Sequence, residues 1–159
     1  MIGSTGGPAK AATLVDELGF DHAIDHRAGP LREGLARVAP NGIDVYVDNV
    51  GGAHLEAAID AMRPDGRIAL VGSISGYDSP APGPRNLLTA TAREVTLRGL
   101  TVTRHYHRFP TWIALAAGML ADGTLRTRET VRDGIEAAPE AFLGTLRGEN
   151  TGKMLVRLA

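Results

Sequence analysis

Short β-branched runs alternate along this chain with stretches of helical period, and that alternation restricts the fold more than any other feature. The runs at 1–4, 22–24, 43–48, 67–71, 95–103 and 154–158 read as strands, the first being only the end of one. Between them, 8–18, 30–38, 53–62, 86–93, 110–121 and 139–146 read as helices. Punctuation agrees with this division. Pro8 and Pro30 suit helix starts and Gly19 a stop, while Asn41-Gly42 and Pro64-Asp65-Gly66 suit turns. Trp112, Leu115, Ala116 and Met119 give the 110–121 helix an apolar face, and Trp112 and Met119 are expected in the core. Strands joined by helices through short links predict an α/β fold, a parallel sheet covered by helices. No internal repeat or dividing linker is visible, and 159 residues suit one domain.

Charge and composition remove several functional classes. Lys+Arg 17 against Asp+Glu 18 gives a net charge of −1, which offers no broad basic field to nucleic acid. No apolar run approaches the ~20 residues of a membrane helix, and no secretory leader is seen. A cytoplasmic protein without nucleic-acid or membrane partners is expected. With Cys 0, disulfides, cysteine zinc sites and thiolate nucleophiles are excluded. His105 and His107 alternate as strand neighbours do, but no third ligand is spaced nearby. No metal is therefore expected, and both read as surface or dimer-interface residues. Ser73 and Ser75 lack a paired base of the hydrolase kind.

Glycine is the outlier, with Gly 20 in the chain against the typical ~7% of residues. Three expected strands run into glycine-rich turns: Gly3-Ser4-Thr5-Gly6-Gly7, Asn49-Val50-Gly51-Gly52 and Gly72-Ser73-Ile74-Ser75-Gly76. In an open parallel sheet ligands bind beyond the carboxyl ends of the strands, where such turns bring backbone close and helix N-termini favour phosphate. Three turns on one edge point to a nucleotide. NAD-selective sites place a carboxylate after the second strand to accept from the ribose 2′-hydroxyl. This chain has Ser4-Thr5 there, with Lys10 one turn into the next helix, a set that suits a 2′-phosphate and hence NADP(H). Asp48 is expected to order the Asn49 turn rather than act as an acid, and Tyr46 to pack in the core or the cofactor wall.

Several segments then resemble the cofactor-binding half of the medium-chain dehydrogenase/reductases, in particular the zinc-free branch of prostaglandin reductases and 2-alkenal (double-bond) reductases. They are Asp16-Glu17-Leu18-Gly19-Phe20-Asp21, 42–52 (GIDVYVDNVGG), Gly83-Pro84-Arg85-Asn86-Leu87-Leu88, Arg108-Phe109-Pro110, 138–144 (APEAFLG) and Asn150-Thr151-Gly152-Lys153. The resemblance implies that Lys10 holds the 2′-phosphate beside Ser4, and that His26 stands where relatives have a tyrosine near the adenosine. Asn49 would touch the cofactor. Val71, Gly72, Ser73, Ile74, Ser75, Gly76 and Tyr77 would pass under the nicotinamide ribose. Leu100, Thr101 and Val102 would flank the nicotinamide, and Asn150 would close over the cofactor. The implied reaction is hydride transfer from NADPH to the β-carbon of an enone or enal without a metal. Ala92 stands where some relatives carry a proton-donating tyrosine, which leaves Tyr77 as a weak catalytic candidate. A homodimer through the sheet-edge strand near Thr101 is also implied.

Set against the strand order 3-2-1-4-5-6 of that fold, this chain begins at the second strand. On that reading the first strand with its glycine turn and the upstream catalytic domain are expected to lie outside these 159 residues, whether because the true start lies upstream or because the gene is split. The expectation is thus a truncated, Rossmann-like doubly wound sheet: a partial NADP-binding domain over 1–159, whose segments from about 124 to 159 pack on the missing domain. The competing reading is a catalytically inactive nucleotide-binding or interaction module. A Rossmann-like methyltransferase is disfavoured by Lys10 and Asn150.

Overall fold

A computed structural model describes residues 1–77 and 83–158; the Pro-rich sequence at 78–84, which reads as a loop, lies largely outside the described residues. Seven strands alternate with six helices in the order β1 (Ile2–Thr5), α1 (Pro8–Ala12), β2 (His22–Asp25), α2 (Leu31–Val38), β3 (Ile43–Asp48), α3 (Gly52–Ala61), β4 (Met62–Leu70), α4 (Leu87–Ala92), β5 (Thr96–Gly99), α5 (Phe109–Ala121), β6 (Glu129–Asp133), α6 (Ala138–Arg147) and β7 (Lys153–Arg157). Every strand pair is parallel, as the alternation requires.

The strands form three sheets rather than one, with orders β1-β2, β3-β4-β5 and β6-β7. The first two follow the order 3-2-1-4-5-6 on either side of its first strand, so β1 and β3 are not hydrogen-bonded neighbours. Packing joins them instead. On one side of α3, Leu55 and the fully buried Ile59 pack with Met62, Ile68 and Ala90, and Ile43, Tyr46, Leu70, Val95 and Leu97 close this cluster. On the other side Ala57 packs with Ile24 of β2 and Leu35 of α2. One helix thus ties both sheets into a common core, burying apolar surface against each.

Six local expectations change. The helix from Pro8 is α-helical only to Ala12, and Thr13–Glu17 continues as a wider π turn in which Leu18 N–H reaches the Thr13 carbonyl at 3.1 Å. The turn at 64–66 is absorbed into the start of β4, where Asp65 takes a left-handed φ of 63° and donates to the Arg93 carbonyl at 2.9 Å. The strand expected to 103 ends at Gly99, and Val102–Arg108 coil into a 3₁₀ turn. His105 and His107 therefore lie on that turn, ring centroids 6.3 Å apart, rather than alternating on a strand. Trp112 is 52% exposed and α5 buries no residue; it follows the edge strand β5 and packs mainly back onto the preceding turn, Phe109 against Tyr106. Finally, β6 forms where no strand was read, paired along its length with β7.

Candidate dinucleotide site

The site starts at Asp48, the last residue of β3 and only 1% exposed. Its Oδ1 accepts from the backbone N–H of Val50 at 3.0 Å, from that of Gly51 at 3.0 Å and from the Tyr46 hydroxyl at 3.1 Å. Burial, with the Asp48 charge adding to it, pushes the Tyr46 phenol well above its ordinary range, so it stays a neutral donor. The Asp48 carboxylate thus folds the Asn49 turn as expected. It also sets Gly51 at φ 73° just before α3.

The turn leaving β4 is zipped onto this one. Val71 and Gly72 N–H donate to the Asp48 carbonyl at 2.8 and 3.1 Å, and Ile74 N–H donates to the Asn49 carbonyl at 3.2 Å. The Ser75 hydroxyl donates to the Val50 carbonyl at 2.6 Å. A Cβ on Gly51 would stand 2.5 Å from Ser73 Oγ, so glycine is what lets the two turns meet. One strand further, Leu100 N–H donates to the Leu70 carbonyl at 2.9 Å, placing Leu100, Thr101 and Val102 beside the exit of β4. Tyr77 ends the β4 turn 75% exposed.

The turn after β1 reaches the same rim. Ser4 Oγ lies 3.4 Å from His26 Nδ1, just past β2, and 3.4 Å from His54 Nε2, in the first turn of α3. Gly7 has φ 106° with open space where a Cβ would stand, and its N–H donates to Asp25 Oδ1 at 2.8 Å. That bond and one from Arg27 N–H hold the Asp25 carboxyl below its ordinary range. Lys10 Nζ donates to the Gly148 carbonyl at 2.5 Å. A Cβ on Gly148 would be 3.5 Å from Arg27 Nη2 and 3.8 Å from Lys10 Nζ, so two cations converge beside the late loop that carries Asn150. The Asn150 amide donates to the Gly152 carbonyl at 2.6 Å within that loop.

The structure therefore brings Ser4 to His26, Lys10 to Arg27 beside Gly148, and separately Asn49 to the 71–77 turn and Leu100 to the exit of β4. Sequence reading missed Arg27 and His54. His54 pairs with groups 28 and 50 positions away, as its contacts to His26 and Ser4 show, and no local pattern marks it. Among the described residues no group of three or more His, Cys, Asp or Glu comes close enough to hold a metal ion.

Known proteins identify the family and the fold. The family model described as zinc-binding dehydrogenase matches residues 1–118. The chain is 35% identical over 161 residues to (+)-pulegone reductase of Mentha piperita, covering 100% of this chain and 47% of that protein. It is 34% identical over 161 residues to a 2-alkenal reductase (NADP(+)-dependent) of Nicotiana tabacum, covering 100% of this chain and 47% of that one. The crystal structure of CurA in complex with NADPH from Vibrio vulnificus superposes with a TM-score of 0.89 at 38% identity, over 99% of this chain and 49% of that one. The chain thus spans about half the length of the relatives it matches. With strand order, rim turns and sequence in accord, the chain belongs to the zinc-binding dehydrogenase family of the medium-chain dehydrogenase/reductases.

Proposed function

We propose that this chain is the cofactor-binding part of an NADPH-dependent oxidoreductase that reduces the C=C bond of α,β-unsaturated aldehydes and ketones. The observation that carries the reading is the meeting of the turns after β1, β3 and β4 on one rim, through the Ser4–His54 and Val50–Ser75 contacts. The residues present fit a phosphorylated dinucleotide. Gly7 leaves open backbone, Gly51 allows close approach of two turns, and Lys10 with Arg27 supplies positive charge. Ser4, Lys10 and His26 would hold the adenosine end. Asn49 and the turn from Val71 through Gly72, Ser73, Ile74, Ser75 and Gly76 to Tyr77 would hold the nicotinamide ribose. Leu100, Thr101 and Val102 would flank the ring, and Asn150 would close the late loop. When bound, NADPH supplies the hydride that goes to the β-carbon. Ala92 on α4 offers no hydroxyl, so the exposed Tyr77 phenol is the candidate to donate the proton to the α-carbon.

The names of the matched relatives support the substrate class, and β5, which pairs only with β4, supports a homodimer through that edge. Exposed Phe142, Leu143 and Leu146 on α6 support reading 124–159 as packing on a further domain. The carbonyl would be polarised without zinc, in the cytoplasm. That β1 and β3 do not pair with each other favours a second reading, a nucleotide-binding or interaction module without turnover. NADPH oxidation followed with a 2-alkenal, and with the saturated aldehyde as comparison, separates the two. Consumption with the alkenal alone establishes a reductase in the chain itself. Saturable NADPH binding without consumption, the expected result for these 159 residues, leaves the cofactor-binding part. Consumption with the saturated aldehyde contradicts the C=C assignment.

A further inference from the structure

We propose that His54, acting with His26, is a specificity-determining residue that grips the 2′-phosphate of NADP(H) in its protonated form. The inference rests on the NADP(H) reading above and adds to it a residue and a pH dependence. Two imidazoles meet here edge to face, ring centroids 5.0 Å apart at 78°, with the Ser4 hydroxyl 3.4 Å from a nitrogen of each. Such a trio has one hydroxyl and two ring N–H groups to turn toward an anion, and Arg27, next in the chain to His26, converges with Lys10 beside Gly148.

The surrounding charges leave the pair available. Asp25 is engaged by the N–H groups of Gly7 and Arg27, and Glu56, half a turn along α3, by the N–H and guanidinium of Arg85. Asp48 lies at the end of β3 with its bonds directed into the Asn49 turn. Burial first, then the neighbouring His26 charge, pushes the His54 imidazole below its ordinary value, while Asp48 opposes the shift weakly. Both effects favour the neutral ring in the free protein. An arriving phosphate dianion favours the imidazolium, so binding takes up a proton, and the grip strengthens as pH falls through the histidine range.

The ligand itself titrates, since a phosphomonoester has a second pKa of about 6, so a variant must isolate the protein's part. The experiment titrates the 159-residue chain and its His54→Gln form with 2′,5′-ADP, and with 5′-AMP as the comparison that lacks the 2′-phosphate, at about pH 6 and pH 8. One charge-assisted hydrogen bond sets the scale. Wild type is expected to bind 2′,5′-ADP about tenfold more tightly than His54→Gln at the lower pH and within about twofold at the higher, with 5′-AMP unaffected. Proton NMR of the wild-type His54 ring provides a measurement independent of the variant's folding. Its titration is expected to move upward with 2′,5′-ADP and not with 5′-AMP. Binding of 2′,5′-ADP with an unmoved His54 titration, or a loss independent of pH, overturns this inference alone. No binding of 2′,5′-ADP at either pH overturns the nucleotide reading and this inference together.

Discussion

Replacing Asp48 with alanine is expected to destabilise the chain by about 3–5 kcal/mol, the largest loss of any single change at the rim. The methyl group left behind accepts nothing. The N–H groups of Val50 and Gly51 and the Tyr46 hydroxyl would all lose the Oδ1 they now share, the Gly51 bond in a fully buried setting. Each orphaned donor costs about 1–3 kcal/mol, which sums to this range after partial rehydration of the two half-buried ones. For a domain of this size that corresponds to a fall in Tm of about 10 °C. Asp48→Asn keeps one acceptor oxygen in the same place and should lose less than half as much. Thermal and urea unfolding of the two variants checks the comparison. Equal losses would mean that charge, rather than the count of accepted bonds, is what Asp48 contributes.

The second large effect falls on binding. Lys10→Ala is expected to weaken NADPH binding about 10- to 100-fold and to change NADH binding by less than about twofold. An ammonium carries three donors, and the Gly148 carbonyl takes one of them at 2.5 Å. The remaining donors and the full charge are free for a phosphate that NADH lacks. Arg27 stands on the other side of Gly148 and supplies part of the field, so the effect is a loss of selectivity rather than of all affinity. Fluorescence titration with each cofactor reads both numbers. An equal loss for NADPH and NADH would instead assign Lys10 the structural task of holding the end of α6.

What was legible in the sequence divides along the range of the interactions. The β3–turn–α3 unit was readable because strand, glycine turn and helix start lie within about ten residues, and Asp48 bonds to groups two and three positions away. The same holds for Ser4 at the end of β1 and for the 71–77 turn, whose glycines announce it. The edge of the fold was misread for the opposite reason. Val95, Thr96, Val102 and Thr103 favour an extended chain locally, yet only Thr96–Gly99 find a partner strand in β4, and beyond Leu100 no β4 residue remains to pair with. Trp112 and its neighbours have the periodicity of a core helix, but a periodic face is buried only where another element meets it. His54 and Arg27 were missed because their site partners lie elsewhere in the chain or on the late loop, and tertiary packing brings them together.

The strongest test of the account is hydrogen exchange of the 159-residue chain with and without NADPH. The turns at 4–10, 49–52 and 71–77 should gain protection together on adding cofactor, since in the proposed site one dinucleotide would lie across all of them. Protection confined to a single turn, or slowed exchange spread over β6 and β7 instead, would contradict a shared rim that holds the cofactor.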